Sequence, residues 1–270
     1  MSASKVLYIC QEITPYLPES EMSTICRQLP QHIQERGCEI RTFMPRYASV
    51  NERRNQLHEV QRLSGMNLII DDNDHPLIIK VASIQSARMQ VYFIDNDDFF
   101  HHKFTVADAN GNEPEDNAER SIFFVRGVLE TVRKMRWVPD VIHCHGWFSA
   151  LAMLYLKKTF ADDPFFKNAK LVYSIYDDAF KQSFPAKVAD QILAEGVTPD
   201  DFTELLPAAD YPSLMRLAAR YADALVQASA NVHPEVENIV KESGKPFMVG
   251  SSDDHYANYH ELYQSLLEQK

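Results

Sequence analysis

Two short stretches carry side chains suited to metal or acid–base chemistry. His143-Cys144-His145 closes the apolar run PDVIHCH. On a strand, residues two apart share a face, so His143 and His145 point the same way. Two imidazoles on one face are half of a metal site. No third or fourth ligand stands at a matching spacing, so the plainer reading is a histidine-rich strand end. Asp177-Asp178 follows the run KLVYSIY. Carboxylates just past a strand can act as acid or base. Adjacent residues point apart, however, and acidic residues there commonly cap turns and helices.

A third group is acidic and aromatic. Glu12 stands at the tip of the first run, KVLYICQE, and Glu19 and Glu21 follow within PYLPESEM. Together they could line a pocket for a cationic ligand. Trp147 and Tyr176 close later runs. Aromatic faces stack on sugar rings, so either residue could be a saccharide platform at a cleft mouth. Trp147 also opens a helical stretch and reads equally well as core. The candidate binding residues are therefore Glu12, His145, Trp147, Tyr176 and Asp177. No catalytic, cofactor or metal residue is assigned. His101-His102 sits in a polar stretch and reads as solvated.

The elements that must hold these residues alternate. KVLYICQE is apolar on both faces, as in a buried parallel strand. Residues 21–36 place Met22, Ile25, Cys26, Leu29 and Ile33 on one helical stripe, and Gly37 stops it. EIRTFMP then completes a βαβ unit. MNLIID, PLIIKVASIQ and MQVYFID are three β-rich runs, read as an insertion over about residues 66–95. Residues 99–116 read as a loop. DNAERSIFFVRGVLETVRKM is an amphipathic helix with an acidic start and a basic end. The strands PDVIHCH, KLVYSIYD, DALVQAS and PFMVGS follow, with helical segments between them. The helix from Asp254 to Gln269 closes the chain with a Tyr256, Tyr259, Leu262, Tyr263, Leu266 stripe. The fold class is α/β: one doubly wound, mostly parallel Rossmann-like sheet with a small β insertion, a single domain over 1–270. In such sheets ligands sit at the carboxyl ends of strands.

Bulk properties narrow the function classes. The chain has 270 residues and a formal charge of −11. No basic stripe of the kind that binds nucleic acid is present; RRNQ near Arg53 is too short. Cys10, Cys26, Cys38 and Cys144 form no C-x-x-C pair, so neither a zinc framework nor a disulfide scaffold is implied. Free thiols, no signal-like N-terminus and no apolar run near the ~20 residues of a membrane span point to a cytoplasmic protein. Only 8 residues are glycine, where an average composition of ~7% would give more than twice that. Nucleotide-binding sheets of this class spend glycine on ligand loops.

Five segments together resemble one family. KVLYICQEITPYLPES, LPQHIQERGCEIRTFMPRY, DNAERSIFFVRGVLE and PDVIHCHGWFSALAMLYLK look like the N-terminal half of bacterial glycogen and plant starch synthases. MRLAARYADALVQAS resembles that family's LKAG-x-x-YAD-x-x-x-x-VS. The resemblance covers roughly residues 5–240. It implies one half of a GT-B retaining glucosyltransferase, whose two Rossmann-like domains face each other across a cleft. Such enzymes move glucose from ADP-glucose to the non-reducing end of an α-1,4-glucan. The N-terminal domain supplies acceptor contacts and the C-terminal domain most of the nucleotide site.

Against that pattern, the motifs of chemistry depart. The family carries K-T-G-G-L where this chain has Pro18-Glu19-Ser20-Glu21-Met22. A lysine there faces phosphates, and glycines let the backbone approach. Glu19 and Glu21 would repel a diphosphate. The family's H-D-W-H is His145-Gly146-Trp147-Phe148, and its T-I-H-N is Ser174-Ile175-Tyr176-Asp177. The chain reaches Lys270 about where a second domain would begin. By contrast, Arg46 and Tyr47 match the family's MPRY, and Asn117 and Arg120 its DNAER; these read as scaffold. The expectation is a synthase-like N-terminal domain without autonomous glucosyltransferase activity, binding an α-glucan or another protein chain. A homodimer covering an open cleft face is expected, and no cofactor, nucleic acid or membrane. The alternative is a glycogen synthase completed by a separate C-terminal-domain partner.

Overall fold

The computed structural model describes residues 4–101 and 105–268, so His102 lies outside the described residues. The strands are β1 (Lys5–Cys10), β2 (Glu39–Pro45), β3 (His58–Glu59), β4 (Met66–Ile70), β5 (Asn73–Ile84), β6 (Met89–Asp95), β7 (Val141–His145), β8 (Lys170–Ile175), β9 (Ala224–Gln227) and β10 (Phe247–Val249). The helices are α1 (Glu21–Glu35), α2 (Asp97–Phe100), α3 (Asn117–Met135), α4 (Leu151–Lys157), α5 (Val188–Ile192), α6 (Tyr211–Tyr221), α7 (Val236–Ser243) and α8 (Ala257–Glu268).

β1 is the middle of the sheet. Its order is β10-β9-β8-β7-β1-β2-β6-β5-β3, with β4 paired to β5. From β6 across to β10 every pairing is parallel. The chain winds outward from β1 in one direction through β2 and β6, then returns to the other side through β7, β8, β9 and β10. That reversal puts a topological switch point between β1 and β7, where a crevice opens at the strands' carboxyl ends.

The mostly parallel sheet is as expected, and of the three runs read as an insertion over about residues 66–95 the last, β6, belongs to the body of the sheet. β6 pairs in parallel with β2, Thr42 opposite Val91 and Pro45 opposite Ile94. It is therefore a body strand. Val91, Phe93 and Ile94 are fully buried, because α3 and the neighbouring strands cover it. β5 extends the same sheet antiparallel to β6, and only the β4–β5 hairpin stands apart.

The scaffold motifs hold this core. Arg120 is fully buried; it donates to Phe99 O, Thr105 O and Asn117 Oδ1 and lies over the rings of Tyr47, Phe100 and Phe148. Arg46 pairs with Glu52 beside the buried Asp95. The terminal helix packs through Tyr259, Tyr263 and Leu266, each at most 2% exposed, while Leu262 is only partly buried. Among the described residues, no helix is long and apolar enough to cross a membrane.

Candidate functional site

The loops after β1, β7, β8 and β9 meet over the switch point. Gln11 and Glu12 follow β1, and Trp147 lies just past β7. Tyr176, Asp177 and Asp178 follow β8, and Ser229 follows β9. They surround a cavity of about 520 Å³. A second, of about 710 Å³, adjoins it beyond Ser20 and Glu21 and reaches Tyr256 and Tyr259.

The loop before α1 supplies the helix with its own cap. Ser20 is the N-cap of α1: its Oγ accepts the Ser23 N–H, and the Ser23 Oγ accepts the Ser20 N–H. A helix N-terminus attracts anions through its free N–H groups and dipole. Here the chain's own serines take two of those donors, and Glu21 adds a carboxylate to the first turn. Ser20 Oγ also donates to Glu12 Oε2 at 3.0 Å. Burial pushes the Glu12 carboxyl up, against hydrogen bonds from Ser20 and Gln11.

Across the cavity, Asp178 accepts the Trp147 N–H at 2.8 Å and the Tyr211 hydroxyl at 3.0 Å. Burial nevertheless raises its carboxyl to about 7. Asp177 is exposed. Glu113 completes the acidic wall and accepts the N–H groups of Lys181 and Gln182. Among the described residues, no lysine, arginine or histidine lines either cavity.

The candidates separate on this geometry. Glu12 and Asp177 line the cavity, and Tyr176 contributes to its floor. His145 does not reach it. Its ring is fully buried below the floor, with Nδ1 2.8 Å from the Tyr176 hydroxyl. Trp147 is no sugar platform: it is 2% exposed and its ring is enclosed by Phe148, Phe180 and Phe184. The core reading holds for the ring, although the residue contributes to the cavity wall.

His143 and His145 do share a face, with ring centroids 4.0 Å apart. They form no metal pair. Both nitrogens of His143 are engaged, Nδ1 with the Tyr263 hydroxyl at 2.6 Å and Nε2 with Ser174 Oγ at 2.7 Å. Burial and the adjacent His145 push the His143 ring well below the usual histidine range, so it is neutral. Glu52, Asp95 and His101 lie at metal-ligand spacing. Between them, the Lys80 ammonium is 2.7 Å from Glu52 and 2.8 Å from Asp95, which already supplies the cation.

Four residues emerge only in three dimensions. Gln11 Oε1 accepts the Phe148 N–H and so ties β1 to the turn after β7. Glu113 and Ser229 arrive from distant segments. Cys26 lies beneath the cavity floor. Burial pushes its thiol up, but a hydrogen bond from Cys10 and the neighbouring His145 outweigh it and bring it to about 6. Adjacency to Glu12 was the one sequence signal for Gln11; the others carried none.

Comparison with known proteins agrees with this architecture. Residues 5–244 match the starch synthase catalytic domain family. The glycogen synthase of Chlorobium limicola is 34% identical over 226 residues, covering 83% of this chain and 45% of that protein. The glycogen synthase of Pelodictyon phaeoclathratiforme is 31% identical over 264 residues, covering 97% and 53%. The chain thus spans about half the length of these relatives. Among solved structures, the catalytic domain of starch synthase IV from Arabidopsis thaliana, bound to ADP and acarbose, superposes with a TM-score of 0.74. It covers 94% of this chain and 53% of that one at 16% identity, a likeness of fold. On its sequence and its sheet alike, this chain belongs to the starch synthase catalytic domain family.

Proposed function

We propose that this chain is a glycogen/starch synthase-like N-terminal domain without autonomous glucosyltransferase activity, acting as a module that binds an α-glucan or a protein partner. One observation carries the reading. Where the family pattern K-T-G-G would face a sugar nucleotide, the N-terminus of α1 is closed by its own Ser20–Ser23 capping box and flanked by Glu12, Glu19 and Glu21. Magnitudes decide the sign. A helix dipole favours an anion by about 0.3–1 kcal/mol at an exposed end. One unit of like charge at 4 Å costs about 1 kcal/mol in water and about 4 kcal/mol at the effective dielectric of a protein surface. Several carboxylates therefore outweigh the dipole for a diphosphate.

The test is transfer of radiolabelled glucose from ADP-glucose and UDP-glucose to a maltooligosaccharide by the purified chain. No transfer is expected. Turnover abolished by Glu12→Gln would overturn the reading. The relatives' names favour a second reading: glucose transfer from ADP-glucose to an α-1,4-glucan, completed by a separate polypeptide supplying the other half of the synthase. Activity on adding such a partner would establish it. A second copy of the chain remains a candidate occupant of the cleft face, readable by light scattering.

A further inference from the structure

The segment before α3 is fastened to the loop after β8. Residues 108–112 form a self-contained turn. Asp108 Oδ1 accepts the N–H groups of Asn110 and Asn112, and the Asp108 carbonyl accepts the Gly111 N–H. Gly111 has φ +79, the left-handed conformation that suits glycine in such a turn. The turn presents Glu113, next in the chain. Its carboxylate accepts the Lys181 N–H at 2.9 Å and the Gln182 N–H at 3.1 Å. A half-buried side chain thereby ties two segments 68 residues apart in sequence. This clasp stands between two cavities. Glu113 and Phe180 line both the cavity of about 520 Å³ and a neighbouring one of about 300 Å³, so they form the partition. Phe180 stacks on Phe184, which lines the second cavity, with ring centroids 4.5 Å apart and planes at 14°. Both phenylalanines are buried.

A linear glucan needs a continuous groove, polar groups for its hydroxyls and aromatic faces for its rings. Closed, the clasp leaves two compartments. Released, it would join them and uncover Phe180 and Phe184. The walls already carry the Gln182 amide and the Ser183 and Ser229 hydroxyls, groups able to exchange hydrogen bonds with a sugar. The clasp ends on backbone N–H groups of two exposed residues. Water can take over those donors, so opening orphans no buried group. We propose that Glu113 is the latch of a gated groove: its release from the Lys181 and Gln182 N–H groups merges the two cavities and admits a linear α-glucan. This rests on the α-glucan reading of the module and names the residue that controls entry. The apparent affinity is lowered to the extent that molecules are closed, and loosening the latch raises the open fraction.

The experiment compares the whole chain with its Glu113→Ala and Glu113→Gln variants. Hydrogen exchange is followed by mass spectrometry, and maltoheptaose is titrated by calorimetry. Glu113→Ala removes the acceptor. Exchange over residues 180–185 should quicken about tenfold, the scale of a lost hydrogen bond to a charged group. Exchange in β1 and β7 should stay as in the parent, which separates local opening from general destabilisation. Maltoheptaose should bind the alanine variant about tenfold more tightly. Glu113→Gln keeps a neutral acceptor and should fall between parent and alanine variant in both readouts. Exchange over 180–185 equal to the parent's in both variants would overturn the latch. Quickened exchange with unchanged or weaker maltoheptaose binding would overturn the gate, because Glu113 would then be a mere fastening or a sugar contact. Maltoheptaose bound by none of the three chains would overturn the α-glucan reading beneath, and the gate with it, whatever the exchange shows.

Discussion

The Tyr176 hydroxyl stands 2.8 Å from Nδ1 of His145, both side chains at most 2% exposed. Tyr176 occupies the place of the histidine in the family's T-I-H-N, and this bond shows what the tyrosine does instead. It closes the cavity floor and gives a buried imidazole a partner. Tyr176→Phe removes that bond from the imidazole. Leaving a buried polar group unpaired costs about 1–3 kcal/mol. The expected result is a lower urea midpoint with an unchanged slope; an unchanged midpoint would mean the bond contributes nothing.

Gly146 stands where the family's H-D-W-H has its aspartate, and reversing that change should fail. Its φ is +83 and ψ 158, a region essentially closed to residues with a Cβ. A Cβ there would meet Gln11 Oε1 at 2.8 Å and the Met22 side chain at 2.9 Å. Gly146→Asp combines about 1–3 kcal/mol of backbone strain with a collision against the Gln11–Phe148 bond. A thermal melt should show clear destabilisation and no gain in glucose transfer. A variant as stable as the parent would show that the turn can rebuild.

These two positions show where sequence reasoning reaches. The strands around them were legible because both faces are apolar, which in a parallel sheet is what burial on two sides demands. The helix of α1 was legible from its stripe. The fate of β6 was not, since an apolar run reads the same in an inserted hairpin as in a body strand; only its parallel pairing with β2 distinguishes them. From its sequence Trp147 reads equally as platform or core, because the residues that enclose it, Phe180 and Phe184, come from a loop after β8. Glu113 reaches the cavity from the segment before α3, a long-range contact with no local pattern.

Asp178 makes stability depend on pH. Burial raises its folded-state carboxyl to about 7 from an ordinary 3.8, with Glu12 adding to the shift and the Trp147 N–H and Tyr211 hydroxyl opposing it. The folded chain then binds more protons than the unfolded one between those values. Stability conferred by the protonated form is present below about 4 and declines as pH rises through about 7. Asp178→Asn cannot ionise, so it should flatten this part of the profile while keeping an acceptor for the Trp147 N–H. Unfolding free energies at pH 5 and pH 7.5 for parent and variant provide the check. Identical slopes would show that Asp178 is ionised in the fold.

Lys80 gives the last prediction, because it stands between Glu52 and the fully buried Asp95 at 2.7 and 2.8 Å. The Asp95 side chain meets Lys80 and, more distantly, Arg46 at 3.8 Å. Lys80→Met preserves much of the stem's packing but strands the carboxylate, and breaking such a pair costs about 3–5 kcal/mol. If the cost is the orphaned charge rather than lost packing, Asp95→Asn placed on top of Lys80→Met should recover much of it. The double-mutant cycle, read by denaturant unfolding, separates the two causes. Recovery marks the trio Glu52–Lys80–Asp95 as a charge-balanced brace for β5 and β6. Purely additive losses would mean that the lysine's stem, not its ammonium, holds those strands together.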